Sequence, residues 1–319
     1  MRVLIALDGS KASEVVLEEA LSRPWVPETT FNLITVVDPF FFTKAPLLLD
    51  EARGAARKFL KDAAQRFEAA GWDATAEAVL GNPRRAISEC AEEWRADLVL
   101  VGSQGLNSLA RLALGSTMQA VLRHTRCSVE IVRPTKRENK PVVNAKPRIL
   151  IATDGSEFST AALQSVVERH WPEGTEVKVI SVPEFAIWLG EFPYFGLQQV
   201  EDMNQSALEG ARAAVAQGKE ILARAGLTAS TDVIVEHDAP AKTILEEAKK
   251  WDADLIVVGS HGRRGLDRFA MGSVSEAVAM NAHCSAEVVR PRYHHELHKK
   301  KGEIYESQRS HDGHALHVS

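Results

Sequence analysis

Two pairs of glycine-bearing turns hold the residues of this chain best suited to chemistry. Gly102-Ser-Gln-Gly105 is followed by nine residues and then Gly115-Ser116, and Gly259-Ser-His-Gly262 is followed by nine residues and then Gly272-Ser273. The pattern G-x2-G-x9-G-[ST] therefore occurs twice at identical spacing. The first two glycines let backbone approach a ligand where a Cβ would clash. Consecutive main-chain N–H groups in such a loop form a concavity for anions. The last glycine and serine open a helix, whose first amides have no partner within the helix and sit at the positive end of its dipole. The serine hydroxyl can donate to a phosphate oxygen or help hold a phosphate-bound metal. Upstream lie Asp8-Gly9-Ser10 and its repeat Asp154-Gly155-Ser156. A carboxylate beside phosphates must face ribose hydroxyls or a metal ion, because direct contact would repel.

Simpler uses exist for the same residues. Glycines after a strand can serve only a tight turn, and Asp8 and Asp154 can cap the helix that follows. The second nine-residue loop, RRGLDRFAM, carries Arg263, Arg264 and Arg268, whereas the first, LNSLARLAL, carries only Arg111. Positive charge near a triphosphate favours binding, so the second site is expected to be the tighter one; a solvated loop is the other reading of those arginines. No Ser-His-Asp order, metal-ligand spacing or Walker A lysine is present, so no catalytic or metal-ligating set is assigned. His261 stands in the second loop without a paired group that marks it as a base.

These turns belong to a repeat. Residues 2–13, RVLIALDGSKAS, match 148–159, RILIATDGSEFS, at an offset of 146. Residues 94–105 and 126–134 match 251–262 and 283–291 at an offset of 157, so the second copy holds eleven extra residues between the positions equivalent to Asp38 and Trp94. A repeat this long is a domain. The expected organisation is domain 1 at 1–133, a linker at 134–146 rich in proline and charge, domain 2 at 147–291, and a polar tail at 292–319 with six of the eleven histidines. Those histidines could hold a metal, but a disordered polar tail is the preferred reading.

Within each copy short apolar runs alternate with helical patterns. Arg2–Leu7 reads as a buried strand, Ser10 as the cap of a helix, Leu47–Ala70 as a long helix stopped by Gly71, and Asn82-Pro83 as an N-cap with proline at the first helical position. Apolar strands interleaved with helices imply a parallel sheet covered on both faces. In such a sheet ligands bind beyond the carboxyl ends of the strands, where strand order reverses. With order 3-2-1-4-5 that point lies between strands one and four, the strands that carry the Asp turn and the glycine loop. The apolar fifth strands, Cys127–Val132 and Cys284–Arg290, would be bare edges unless the copies cover each other. Aromatic residues follow each second strand, Phe40–Phe42 in the first copy and Phe185, Trp188, Phe192, Tyr194 and Phe195 in the second; packing between domains is the expected use, a lid over the ligand the alternative.

Composition is that of a globular chain, 319 residues with 45% hydrophobic and 25% charged residues and a formal net charge of −5. That balance argues against a broad nucleic-acid surface. No run is long enough for a membrane span, and MRVLIALDGS is too short for a signal peptide, so a cytoplasmic setting is expected. Three cysteines, Cys90, Cys127 and Cys284, make no disulfide framework.

The chain resembles the universal stress protein family over 1–133 and 147–291. The G-x2-G-x9-G-[ST] signature, the opening V-x-x-D-G-S and the closing C-x-x-x-x-V-R-P carry the likeness, which is to the family's ATP-binding branch. The resemblance implies two tandem open five-stranded parallel sheets of order 3-2-1-4-5 with helices on both faces, a Rossmann-like fold of the adenine-nucleotide alpha-hydrolase-like group. It implies ATP as ligand, with Mg2+ or Mn2+ carried on the phosphates. Position by position, the contacts would be Ala6, Asp8, Val36, Val101, Gly102, Gly105, Gly115, Ser116 and Thr117, and in the second copy Ala152, Asp154, Val182, Val258, Gly259, Gly262, Gly272, Ser273 and Val274, with Arg263 added from its charge. Val36 and Val182 would offer backbone groups to the adenine. Gln104 replaces the family's commoner histidine, and Ser128 and Ser285 stand where proline is frequent. Pairing through the fifth strands implies an internal pseudo-dimer, with a further homodimer and a signalling partner open. The expected role is a stress or signalling protein that responds by conformation. A slow ATPase or nucleotidyl-transfer enzyme in the same crevice, and a scaffold with empty pockets, are the alternatives.

Overall fold

The computed structural model describes residues 1–103, 115–134, 146–185, 197–236, 238–262 and 271–291, with residue 197 described for its backbone alone. The first copy runs β1 (Arg2–Ala6), α1 (Lys11–Ser22), β2 (Thr30–Val37), a 3-10 turn (Pro39–Phe42), α2 (Pro46–Ala69), β3 (Asp73–Leu80), α3 (Pro83–Glu93), β4 (Leu98–Gly102), α4 (Ser116–His124) and β5 (Ser128–Val132). The second runs β6 (Arg148–Ala152), α5 (Glu157–Val167), β7 (Glu176–Ser181), α6 (Leu197–Arg224), β8 (Ala229–Val233), α7 (Pro240–Lys250), β9 (Leu255–Gly259), α8 (Ser273–Asn281) and β10 (Ser285–Val289).

The helix starts follow the capping chemistry expected of them. Ser10 and Ser156 accept the amides of Ser13 and Ser159 at 3.2 Å, and Asn82 accepts that of Arg84 at 3.0 Å. Asp8 and Asp154 do not cap the helices. Each instead closes the turn before the cap, accepting the amide of Ser10 or Ser156 at 3.0 Å. The glycine between them has φ of +76° in the first copy and +78° in the second, the left-handed region that excludes most side chains.

Strand order within each copy is 3-2-1-4-5, and all pairs inside a copy are parallel. The two sheets are not separate. β5 pairs antiparallel with β10, joining them into one ten-stranded sheet, β3-β2-β1-β4-β5-β10-β9-β6-β7-β8. Each copy thus covers the other's fifth-strand edge.

The two faces of this sheet are built differently. One face holds a single hydrophobic core that crosses the join, from Leu4, Val99 and Val121 through Val129 and Ala286 to Ile256, Leu150 and Val278. The other has two cores, one around Val3, Phe31 and Phe67, the other around Ile149, Val177 and Leu222. Between those cores lies charge. Glu130 and Glu287 are register partners across the join and both are 0% exposed. Each is gripped by both terminal guanidinium nitrogens, Nη1 and Nη2, of one arginine, Arg23 after α1 and Arg169 after α5. The Arg23 guanidinium holds the Glu130 carboxyl below the usual carboxylate range against the opposing effect of burial.

The eleven extra residues divide unequally. Phe67 and Trp72 correspond to Leu222 and Leu227 through the same turn at the helix end, an offset of 155, which puts nine of the eleven between β7 and the end of α6. In the first copy the aromatic loop does not follow the expected packing between domains: Phe40 and Phe41 are 75% and 72% exposed and meet edge to face. The linker's residues 135–145, the tail, and Trp188, Phe192, Tyr194 and Phe195 lie outside the described residues.

Candidate functional site

The carboxyl ends of β6 and β9 lie side by side, with Ala152 paired to Val258. The turn after each strand therefore opens at the same point of the sheet. A Cβ built on Gly262 would stand 2.9 Å from Asp154 Oδ2, so the acidic turn and the glycine loop touch. Beyond them lies a cleft of about 520 Å3, within the usual range for small-molecule sites.

Nine residues expected as second-copy contacts line this one cleft: Ala152, Asp154, Val182, Val258, Gly259, Gly262, Gly272, Ser273 and Val274. They come from four segments spread over more than a hundred residues. Arg263, and with it Arg264 and Arg268, lies outside the described residues.

The cleft has two chemical halves. Pro183, Ile244, Ala152, Val182 and Val258 give it an apolar lining suited to a flat ring. The other half is main chain and small polar groups at the start of α8. Gly272 is the N-cap of that helix and offers no side-chain acceptor to the amides that follow. Capped helices elsewhere in the chain satisfy one of those donors from a serine or asparagine, whereas the first turn of α8, whose residues line the cleft, has no side-chain cap. Ser275 helps fix this turn, donating its hydroxyl to Ser260 O at 2.9 Å, and Gly272 N donates to the same oxygen at 2.9 Å. Asp154 and Glu184 are the carboxylates of the lining, and among the described lining residues there is no lysine or arginine. An anion held there must be met by main-chain amides and by a cation brought with it or supplied from elsewhere.

Several lining residues were not read from the sequence. Ala207 and Ala211, one turn apart on α6, and Pro240 at the start of α7 close the sides. The alanine pair gives no motif, because its partners in the cleft come from segments distant in sequence; the Ala239-Pro240 helix start was the one available signal. His261 lines the cleft as well. Its Nδ1 lies 3.1 Å from Ser260 Oγ and its ring 4.9 Å from that of Phe158, contacts that fix its orientation.

One glycine has a different reason from the one expected. A Cβ on Gly259 would meet Phe158 C and O at 2.5 and 2.6 Å and Ser159 N at 2.7 Å. Its bareness is required by the first turn of α5 packing across the strand end, before any ligand is considered. Gly102 meets Ala12 in the same way, less tightly, with Cβ at 3.0 Å and backbone at 3.3 Å.

In the first copy the equivalent residues gather at the matching end of the sheet. Ala6 pairs with Val101, Asp8 and Gly102 follow those strands, Val36 lies on β2, and Gly115, Ser116 and Thr117 start α4. Val101 is fully buried, main chain included. Gly105 lies outside the described residues. None of these residues lines the 520 Å3 cleft. Here the serine is already engaged: Arg84 on α3 donates to Ser116 Oγ at 2.8 Å. The matching position on α7 is Ala241.

Fold and cleft together define an open, doubly wound α/β protein with a ligand crevice at the strand-order reversal, repeated in tandem. Comparison with known proteins supplies the family. The model of the universal stress protein family matches residues 1–133 and 147–290, and the chain belongs to that family. A universal stress protein of Mycolicibacterium smegmatis is 26% identical over 302 residues, covering 91% of this chain and 97% of its own length. One of Methanocaldococcus jannaschii is 33% identical over 147 residues, covering 46% of this chain and 84% of its own. The crystal structure of a universal stress protein from Archaeoglobus fulgidus matches the fold with a TM-score of 0.62 at 23% identity, covering 91% of this chain and 96% of that one. Among the described residues, no helix is long and apolar enough to cross a membrane.

Proposed function

We propose that the cleft of the second copy binds an adenine nucleotide, with ATP as the leading ligand, and that the protein works in a stress or signalling response through the conformation that ligand sets. The observation that carries this reading is the convergence of nine sequence-expected contacts on one cleft whose far end carries uncapped helix amides. The apolar half would take the base, with the main chain of Val182 at its edge. The amides of Ser273 and Val274 and the Ser273 hydroxyl would take the phosphates. Asp154 and Glu184 fit ribose hydroxyls or a divalent ion carried by the phosphates, and fit bare phosphate badly. The first copy offers the same backbone elements with Arg84 at its phosphate end, so a second nucleotide there is part of the proposal.

Binding without turnover is preferred because the hydroxyl that His261 meets, Ser260 Oγ at 3.1 Å, belongs to a buried serine that is not part of the cleft lining. A time course of ADP or AMP release that Gly262→Val abolishes would favour the slow hydrolase instead. The direct test is mass spectrometry of small molecules released from freshly purified, denatured protein, with a thermal-shift titration beside it. At 100 times its dissociation constant ATP should stabilise the chain by about 2.7 kcal/mol. Protein that releases no nucleotide and shows no shift would leave the scaffold reading in place.

A further inference from the structure

α8 begins in the cleft and ends against the other copy. Nine residues at about 1.5 Å each make it about 13 Å long. Gly272, Ser273 and Val274 stand at its first turn. At its last turn the carbonyls of Ala279 and Met280 accept from Arg133 Nη2 at 2.6 and 3.3 Å, and the carbonyl of Cys284 accepts from Nη1 at 3.3 Å. Arg133 belongs to the first copy, two residues beyond the last β5 residue that pairs with β10, and its own amide donates to Ser285 Oγ at 3.1 Å. A guanidinium at that end satisfies carbonyls the helix cannot pair and complements the dipole whose positive end faces the cleft. Within the second copy Ala282 is the C-cap, and Asn281 Nδ2 donates to Ala277 O at 2.8 Å, a carbonyl before those that Arg133 takes.

The device is reciprocal. Arg290 of the second copy donates to Leu122 O at 2.6 Å and Cys127 O at 3.2 Å, clasping the end of α4, and its amide donates to Ser128 Oγ at 3.1 Å. One tether has no counterpart. Arg123 on α4 grips Glu276 in the first turn of α8, Nε to Oε1 at 2.8 Å, while the equivalent positions are Met280 and Gln119. The helix at the second cleft is thus held by the first copy at both ends.

We infer that Arg133 is a positioning residue for the second cleft, that the cleft is set by the other copy's clasp on α8, and that ligand bound there tightens the β5–β10 join. This rests on the nucleotide reading above. The physical reason is that a helix can offer its first amides to phosphate at a fixed place only if it cannot slide along its axis, and displacements of an ångström in such contacts are costly. Linkage makes the effect run both ways: whatever the clasp adds to affinity, ligand returns to the clasp.

The experiment uses the full chain. ATP is titrated by calorimetry into wild type, Arg133→Met, Arg133→Lys and Arg290→Met, and hydrogen exchange is followed with and without ATP. Protection of 273–281 reports the second cleft. Arg133→Met should weaken that site about 5- to 30-fold, in the range of ordinary coupling between sites; Arg133→Lys should recover part of the loss, and Arg290→Met should leave α8 protection as in wild type. In wild type, ATP should slow exchange across 128–132 and 285–289 as well as in α8. Wild-type affinity in Arg133→Met, or protection of α8 with the join unchanged, overturns the inference alone. If Arg133→Met fails to fold, the wild-type exchange arm decides. A wild-type chain that takes up no ATP overturns the nucleotide reading and this inference together.

Discussion

The two copies share a plan and differ at the ligand end. Both have the left-handed glycine in the Asp-Gly-Ser turn, the glycine start to the phosphate helix, and the buried Arg–Glu grip at the join. In the second copy those elements surround an open cleft lined by Ser273, and Ala241 stands where the first copy has Arg84. In the first, Arg84 already lies on Ser116; the aromatic Phe31, Phe67 and Trp72, where the second copy has Val177, Leu222 and Leu227, pack at the amino ends of the strands, away from the site. The lesson is that the shared residues are those that build the turn and the sheet. The divergent pair at the site, Arg84 against Ala241, decides charge beside the serine that starts the last helix. Repetition of a motif therefore locates a site but does not make its two instances equal.

The shared frame can be broken first. Glu130→Gln and Glu287→Gln should each cost about 3–5 kcal/mol, since each strands a buried arginine, and the two costs should match if the join is as symmetric as its geometry. Denaturant unfolding of both variants checks this. The sign with pH follows from Glu130, whose carboxyl is held low: its contribution is full above the ordinary carboxylate range and fades as pH falls through its own depressed value. Glu130→Gln should flatten the acid limb of the stability profile; an unchanged limb would remove the pair from the explanation of acid unfolding.

The glycines separate the copies next. Gly259→Val, forced against Phe158 backbone, should destabilise by about 3 kcal/mol or more, and Gly102→Val, against Ala12, by about 1–2 kcal/mol. Equal losses would mean that the helix starts yield more than their spacing implies. Gly262→Val should spare stability, because its neighbour is a movable carboxylate, yet lower ATP affinity about 30-fold or more. A smaller contrast is expected between Gly272→Val and Gly115→Val. The former meets Ser260 O and Ser275 Oγ at 3.1 Å, the latter nothing within 4 Å, so calorimetry should find the former weaker in ATP binding. The smallest effect is that of Arg84→Ala, about threefold on anion affinity at the first site with no change at the second, given the modest worth of an exposed charge.

Much of the fold could be read from sequence for a physical reason: strand and helix periods, capping serines and the length of the repeat are local signals. The parallel sheet followed from them; the strand order, and with it the meeting of Asp154 with Gly262, was what the family resemblance implied. The join did not yield as fully. The run Ser128-Val-Glu-Ile-Val reads as an apolar edge, and only pairing shows that Glu130 faces Glu287 and that the arginine of each closing Val-Arg-Pro reaches into the other copy. Those partners are distant in sequence and carry no spacing rule. Gly259 lines the cleft as well as packing on the start of α5, a second demand that went unread because sequence cannot tell a close approach to a guest from a close approach to a helix. Phe40 and Phe41 were assigned to an interface, because an aromatic run has the same composition whether it is covered or bare.

One measurement bears most directly on the central claim: calorimetric titration of ATP into the nucleotide-stripped full chain, repeated with Gly262→Val. A saturable heat that the substitution removes while the unfolding midpoint stays put is the predicted result. No heat with wild type, or equal affinity in the variant, would contradict it.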